Sequence, residues 1–458
     1  MRILLIKPQW FDHEGPYRYL EHVRFTPLSL GILAALSDGH DVRILDGDWD
    51  AIPAEERFDL VGITATTFTS ERVYGLAEQF ARNGAKVILG GVHPTLLPKE
   101  CLEHAHAVVV GEAEYLWKTI LQDAESGHLE RVYTAPFPTD MDEVPFPRRD
   151  LLTEPTWFAC LQATRGCPNA CRYCYLPSMP WHGYRKRAPE LVGEELHRLK
   201  QKMVFFVDDN LFADRAYAMD IFRTVSAHRK TFAVQMPTNV GSDEELLDAM
   251  AQAGCFNVQI GFQSANPQSL EWAHVAHNRV ENYRALVARL HARGILVTGF
   301  FILGFDTDDP DSFDRTTKMI RHIEVDEAHL YILTPYPGTS LYAQLGQEGR
   351  LLPAGRNRFG WDHAVFQPKL MTGEQLEQGV QRMYDDLNPW LLRRTARMFI
   401  RRLDLLARHP ALLRVFASGA FRRPRVAGRR LDGGLRPRPG RAEGLENCPE
   451  VVRHRQFT

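Results

Sequence analysis

Ile3 to Ile6 is a short, wholly apolar run closed by Pro8, the pattern of a strand buried on both faces of a parallel sheet. Val42 to Leu45, Leu60 to Thr64, Val87 to Leu89 and Val108 to Val110 repeat the pattern. Between them apolar residues switch to helical spacing. Pro27 to Leu36 reads as one helix. Ser70 to Arg82 reads as another, with Val73, Leu76, Ala77 and Phe80 on one face and Ser70 as its N-cap. This alternation predicts an α/β fold opening on a doubly wound, Rossmann-like parallel sheet over residues 1–135, with ligands beyond the carboxyl ends of its strands. Two of those ends are glycine-bearing: Gly90-Gly91-Val92-His93-Pro94-Thr95 and Gly111-Glu112-Ala113-Glu114. Such glycines fit ordinary turns as well as close approach to a ligand. No Gly-x-Gly-x-x-Gly follows the first strand, which argues against a dinucleotide. Residues 136–150 hold Pro136, Pro138, Pro145 and Pro147 without periodicity and read as a linker.

The chain has 458 residues, 55 Lys plus Arg, 57 Asp plus Glu, 44% hydrophobic and 24% charged residues, which is ordinary globular composition. The near balance of charge excludes a generally basic nucleic-acid binder. The apolar start is too short for a signal peptide, no run reaches the ~18 apolar residues of a membrane span, and seven cysteines do not make a disulfide scaffold. The expected compartment is a reducing cytoplasm, where clustered thiols mean metal or catalysis.

Cys167, Cys171 and Cys174 form a C-x3-C-x2-C cluster after the strand-like Phe158 to Ala163 and the turn Arg165-Gly166. Three thiolates on one loop can hold three irons of a 4Fe–4S cube and leave the fourth open to an outside ligand. The competing reading is structural zinc completed by Cys160 or His182. Cys101, Cys255 and Cys448 have no partners in sequence and read as packing or surface residues.

The cluster, with Tyr173 ahead of its last cysteine, resembles the motif of the radical S-adenosylmethionine (SAM) superfamily. The resemblance implies that SAM chelates the open iron and that its reductive cleavage yields a 5′-deoxyadenosyl radical, with electrons from a carrier such as flavodoxin or ferredoxin. It also implies a partial (β/α)6 barrel, TIM-like, over 151–345. Val204 to Val207, Phe232 to Met236, Phe256 to Gly261, Ile295 to Leu303 and His329 to Leu333 supply strands for it, with Ser242 to Ala253 and Val280 to Arg293 among the helices between. By analogy Asp208 and Asp209 lie near the SAM amino group, Gln263 and Ser264 near its amino acid or ribose, and Gly304 lets the backbone approach it. Many relatives carry Glu where this chain has Gln263. For each polar residue a helix cap or a solvated loop is the plainer alternative.

A doubly wound domain ahead of such a barrel resembles the cobalamin-binding domain of cobalamin-dependent radical SAM enzymes. Gly90, Gly91, His93, Thr95, Gly111 and Glu112 are then the cofactor-binding positions. Asp12-His13-Glu14-Gly15 is not the motif that supplies a cobalt-ligating histidine, as befits this subgroup. The implied reaction is methylation of an unactivated carbon; cyclisation, C–C coupling or oxidation without methyl transfer is the alternative. No residue is assigned as a catalytic base.

Tyr336-Pro337-Gly338-Thr339, Gly349-Arg350-Leu351-Leu352 and Phe366-Gln367-Pro368 resemble an extension of hopanoid-modifying and related enzymes. Residues 346–420 are therefore expected to form a helical cap. The aromatics around the barrel end and this cap, Tyr331, Tyr336, Phe359, Trp361 and Phe366, suggest an apolar small-molecule substrate, or simply core. From residue 391 the chain has 17 arginines, no lysine and five acidic residues. Residues 391–408 read as a basic amphipathic helix suited to an anionic membrane surface or to the acidic body of the chain itself, and 421–458 as a disordered Arg/Gly/Pro tail.

Overall fold

The structure, a computed structural model, describes residues 1–9, 25–47, 50–53, 55–153, 157–180, 183–275 and 277–401. Asp12 to Gly15, His182, Cys448 and the tail from 402 lie outside these residues. Beyond Leu391 the only side chain described is that of Arg394.

The first sheet is built from β1 (Arg2–Lys7), α1 (Leu28–Ala35), β2 (Asp41–Asp46), β3 (Leu60–Thr64), α2 (Ser70–Arg82), β4 (Lys86–Gly90), α3 (Val92–Leu96), α4 (Pro98–Cys101), β5 (Ala107–Val110), α5 (Trp117–Ser126) and β6 (Val132–Thr134). Its order is β2-β1-β3-β4-β5-β6, and every pair is parallel. Alternate strand residues face opposite layers. Leu4, Ile6, Val61, Ile63, Val87 and Leu89 pack on Val73, Ala77 and Phe80 of α2. Ile3, Leu5, Leu60, Ile88 and Val109 pack on Leu30 and Ala34 of α1 and on Trp117 and Ile120 of α5. Both faces are dry, which is why the strands read as unbroken apolar runs. The order reverses between β1 and β3, so the loops after β3, β4 and β5 lie where such sheets hold ligands. Ser70 is not the N-cap of α2: Thr69 takes that position, and Ser70 Oγ instead donates to Thr67 O at 2.9 Å.

The second sheet belongs to β7 (Phe158–Leu161), β8 (Thr164–Arg165), β9 (Arg185–Lys186), α6 (Pro189–Arg198), β10 (Met203–Phe206), α7 (Arg215–Ala227), β11 (Thr231–Met236), α8 (Glu244–Gln252), β12 (Cys255–Gln263), α9 (Pro267–Trp272), α10 (Tyr283–Ala292), β13 (Leu296–Leu303), α11 (Ser312–Ile323), β14 (Glu327–Ile332), α12 (Ser340–Gln347) and α13 (Gly373–Arg401). Six parallel strands run β14-β13-β12-β11-β10-β7, the expected partial barrel. Leu161, Phe206, Val234, Ile260, Phe301 and Leu330 form an outer core with the helices. β8 and β9 form a separate antiparallel pair whose register sets Arg165 opposite Arg185. The segment between them carries all three clustered cysteines.

The outer edge of β14 is closed by the C-terminal segment. Leu330 N donates to Tyr384 Oη and Tyr384 Oη to Leu330 O, both at 3.0 Å, while Ile332 N donates to Trp361 O at 2.7 Å. The helix expected from residue 391 is the end of the longer α13. Arg394 turns back onto the chain, 3.2 Å from Glu324. No helix among the described residues is long and apolar enough to cross a membrane.

Candidate active site and its two cofactor cavities

Two short strands fix the cysteine loop at its base. Its interior is fixed by Cys174 N donating to Cys171 O at 3.1 Å and by Arg172 N donating to Ala273 O at 3.0 Å. The Arg172 guanidinium lies over the Trp272 ring at 4.4 Å. The loop thus sits at the carboxyl ends of the barrel strands. There Cys167, Cys171 and Cys174 share a cavity of about 480 Å³ with Asn169, Asp209, Asn210, Gln235, Gln259, Gln263, His277, Phe300 and Tyr331. Burial pushes the Cys171 thiol up to about 11 and the Cys174 thiol up to about 12. Asn210 donates to Cys167 Sγ at 3.6 Å. Its own Oδ1 is buried with no partner, an orphaned acceptor aimed at nothing the protein supplies.

The donor set fits a 4Fe–4S cluster with SAM beside it: three thiols on one loop, then amides and a carboxylate on the facing strand ends. Among the described residues it does not extend to a fourth thiol. Cys160 is fully buried within β7 and packs with Phe158 and Met203. Among the described residues no three His, Cys, Asp or Glu side chains close on a single-ion site.

A second cavity, about 330 Å³, opens where the strand ends of the first sheet meet the barrel. It is lined by Leu5, Leu30, Leu33, Ile63 and Trp117 on its apolar side, by Gly90, Gly91 and Gly111 at the strand ends, and by Glu112, Glu114, Gln162 and Arg165. A Cβ on Gly90 would enter this space and meet only Val109, at 3.9 Å. Gly91 differs. Its φ is +100°, and a Cβ there would meet Thr64 Oγ1 at 2.6 Å and Ala65 O at 3.0 Å. An apolar slot edged by bare backbone at strand ends fits the close approach of a large cofactor such as a cobalamin.

Ion pairs tie the edge of this cavity to the two short strands at the base of the cysteine loop. Burial raises the Glu112 carboxyl, but the Arg185 and Arg165 guanidinium groups outweigh it and hold it at about 2. Arg185 donates to both Glu112 oxygens at 2.7 and 2.6 Å, and Arg165 to Glu114 at 2.6 Å.

Cys167, Cys171, Cys174, Asp209 and Gln263 therefore line one cavity, and Gly90, Gly91, Gly111 and Glu112 the other. Gln263 holds φ +66°, unusual for a side chain other than glycine. Five further positions stand behind the walls. Asp208, fully buried, accepts from Ala163 N at 3.0 Å and from Thr164 Oγ1 at 2.7 Å, so it holds the strand end that leads into the loop. Burial pushes its carboxyl up to about 7. Ser264 Oγ accepts from Asn266 N at 3.0 Å, a turn ahead of α9. Gly304 (φ +102°) packs against Leu376 of α13 and gives its N–H to Asp308 at 2.9 Å. His93, fully buried, points away from the cavity, with Nε2 2.8 Å from Tyr74 Oη and Nδ1 3.2 Å from Thr67 Oγ1. Thr95 ties the two glycine loops together: its Oγ1 donates to Gly91 O at 2.8 Å and accepts from Gly111 N at 3.0 Å. Of the capping aromatics, Phe359 and Phe366 are core, whereas Tyr331 reaches the cavity and Trp361 tilts against it at 5.6 Å. Sequence reasoning missed Asn210, Gln235 and Gln259. Asn210 had a signal, standing next to two aspartates at a strand end.

Both domains of the chain are similar to known proteins. Residues 161–320 match the radical SAM superfamily and residues 25–121 the B12 binding domain. Bacteriochlorophyllide d C-12(1)-methyltransferase of Chlorobaculum tepidum is 31% identical, the match covering 76% of this chain and 80% of that protein. Hopanoid C-2 methylase of Rhodopseudomonas palustris is 25% identical over 77% and 71% of the two chains. The solved radical SAM methyltransferase TsrM of Kitasatospora setae shares the fold at a TM-score of 0.62, with 17% identity and 76% of each chain covered. With two domain matches in this order and a relative of that identity over most of its length, the chain belongs to the cobalamin-dependent radical SAM methyltransferases, an enzyme family whose cofactors are a 4Fe–4S cluster, SAM and cobalamin.

Proposed function

We propose that this enzyme methylates a carbon of a small, largely apolar molecule, with a tetrapyrrole of the bacteriochlorophyllide kind as the first substrate to test. The observation that carries this is the aromatic wall of the thiol-lined cavity. Phe300 and Tyr331 stack at 5.9 Å and 11°, and Trp361 continues the surface from the C-terminal segment. Flat apolar rings suit such a wall. The bacteriochlorophyllide methyltransferase similarity points the same way.

In this reading Cys167, Cys171 and Cys174 hold the cluster, and Asp209, Gln263 and Asn210 form the polar end that receives SAM. Gly90, Gly91, Gly111 and Glu112 border the cobalamin site. When bound, these groups supply hydrogen abstraction from the substrate and a methyl group for the carbon left behind. The protein's share is to orient the reactants and keep water out. Asp208, Ser264, Gly304, His93 and Thr95 serve by holding strand ends and loops in place. Residues 136–150 join a cobalamin domain to the barrel, and 346–401, the described part of the expected cap, cover it. A flavodoxin or ferredoxin supplies electrons.

Methyl-labelled SAM tests the proposal, with the reconstituted enzyme and bacteriochlorophyllide d as substrate. Label in the product is the expected result. 5′-Deoxyadenosine formed while all label stays in methionine would overturn methyl transfer in favour of cyclisation, coupling or oxidation. Methylation of a hopanoid instead would move the substrate class to polycyclic lipids.

A further inference from the structure

The base of the cysteine loop contains an electrostatic problem. β8 and β9 set Arg165 directly across from Arg185, and like charges facing each other across a strand pair are destabilising. The counter-charges do not come from the hairpin. They come from the loop after β5, in the other sheet. Glu112 takes a bidentate contact from Arg185 at 2.7 and 2.6 Å and lies 3.4 Å from Arg165; Glu114 accepts from Arg165 at 2.6 Å. All four side chains are between 11% and 19% exposed, so solvent screens them little. Buried pairs with two-pronged geometry are of the kind whose disruption is costly.

Three of these four residues line one cavity, and the chain that follows Arg165 reaches the other. Glu112, Glu114 and Arg165 line the glycine-edged cavity. Arg165 is followed by Gly166, whose N–H goes to Asp209 Oδ2 at 2.9 Å, and Asp209 lines the thiol cavity beside Cys167. An unbroken series of contacts thus runs from the edge of one cofactor cavity to the first cysteine of the other.

We infer that the Glu112–Arg185 and Glu114–Arg165 pairs are positioning residues that couple the two cavities: occupancy of the cobalamin cavity fixes the cysteine loop in its cluster-holding form, and a bound cluster tightens cobalamin by the same factor. The inference rests on both cofactors binding, as family membership requires.

The test uses the full chain and hydroxocobalamin. Its dissociation constant is measured with the cluster reconstituted and with the cluster-free protein. Linkage of the usual size makes the first tighter by about 5-fold or more. A cysteine loop held in place should also slow chelator bleaching of the cluster when hydroxocobalamin is bound. In Arg185→Gln the ratio of dissociation constants falls to about one while each cofactor still binds alone; Arg185→Lys, which keeps the charge, retains part of it. If Arg185→Gln does not fold, the charge-keeping Arg185→Lys decides in its place, through a ratio reduced from that of the wild type. A wild-type ratio of one, or a ratio unchanged in these variants, overturns the coupling. A chain that takes up neither cofactor would instead overturn the cofactor assignment, so the two failures are distinguishable.

Discussion

Asp209 Oδ2 accepts the backbone N–H of Gly166 at 2.9 Å, one residue before Cys167, while the same side chain lines the cavity that faces the three thiols. One carboxylate therefore shapes the loop and presents charge to whatever the loop binds. Asp209→Asn keeps an acceptor for Gly166 but removes the charge. SAM affinity should fall about tenfold or more, the weight of one charged hydrogen bond, with iron content unchanged. Equilibrium dialysis with SAM and iron analysis separate the two; loss of iron with SAM binding intact would contradict this division of roles.

Removal of one thiol tests the loop more severely. Cys171→Ala should abolish reductive SAM cleavage, read as 5′-deoxyadenosine, and weaken cobalamin binding only by the coupling factor, about 5-fold or more, without abolishing it. Undiminished 5′-deoxyadenosine would show that the cluster lies elsewhere.

The two adjacent glycines of the first sheet should fail differently. Gly91→Ala forces a side chain into φ +100° and against Thr64, so it should cost ~1–3 kcal/mol of stability as well as cobalamin. Gly90→Ala meets only Val109, at 3.9 Å, and should lower cobalamin stoichiometry with the melting temperature nearly unchanged. Equal losses of stability would remove the distinction between strain and occupancy.

Burial pushes Asp308 up to about 6 from an ordinary 3.8, against the N–H groups of Gly304 and Phe305 that it accepts. A raised folded-state value means that the protonated form is favoured by folding. Its contribution is fully present below about 3.8 and is lost as pH rises through about 6. Asp308→Asn has no such dependence, so the variant's deficit in stability should shrink between pH 4 and pH 7. Denaturant midpoints at several pH values check this; a deficit that grows with pH would reverse the sign.

Where one physical pattern dictates a feature, the sequence was sufficient. Two-sided burial made the parallel strands visible as apolar runs, and the thiol spacing singled out the loop whose three cysteines line one cavity. What stayed hidden depends on direction. Asp208 and Asp209 are neighbours at a strand end, yet the first turns back onto Thr164 and the second faces the cavity. His93 follows a ligand-like glycine pair but is drawn inward by Tyr74. β6 was missed because Val132 to Thr134 is three residues long, and β8 and β9 because each is only two. Arg185 carries no local sign that its partner lies more than seventy residues earlier.

The closure of β14 bears on how this scaffold changes over evolutionary time. The hydrogen-bonding edge of β14 is met by one phenol, that of Tyr384, and by the main-chain oxygen of Trp361, over a shared apolar core. A main-chain contact survives nearly any replacement of the residue that makes it. The segment over the cavity can therefore drift in sequence, and even change its aromatic surface, without loosening the strands beneath. Related enzymes named for bacteriochlorophyllide and for hopanoid differ in substrate on a shared chemistry. An attachment of this kind lets selection rewrite the recognition surface while the reaction centre is inherited unaltered.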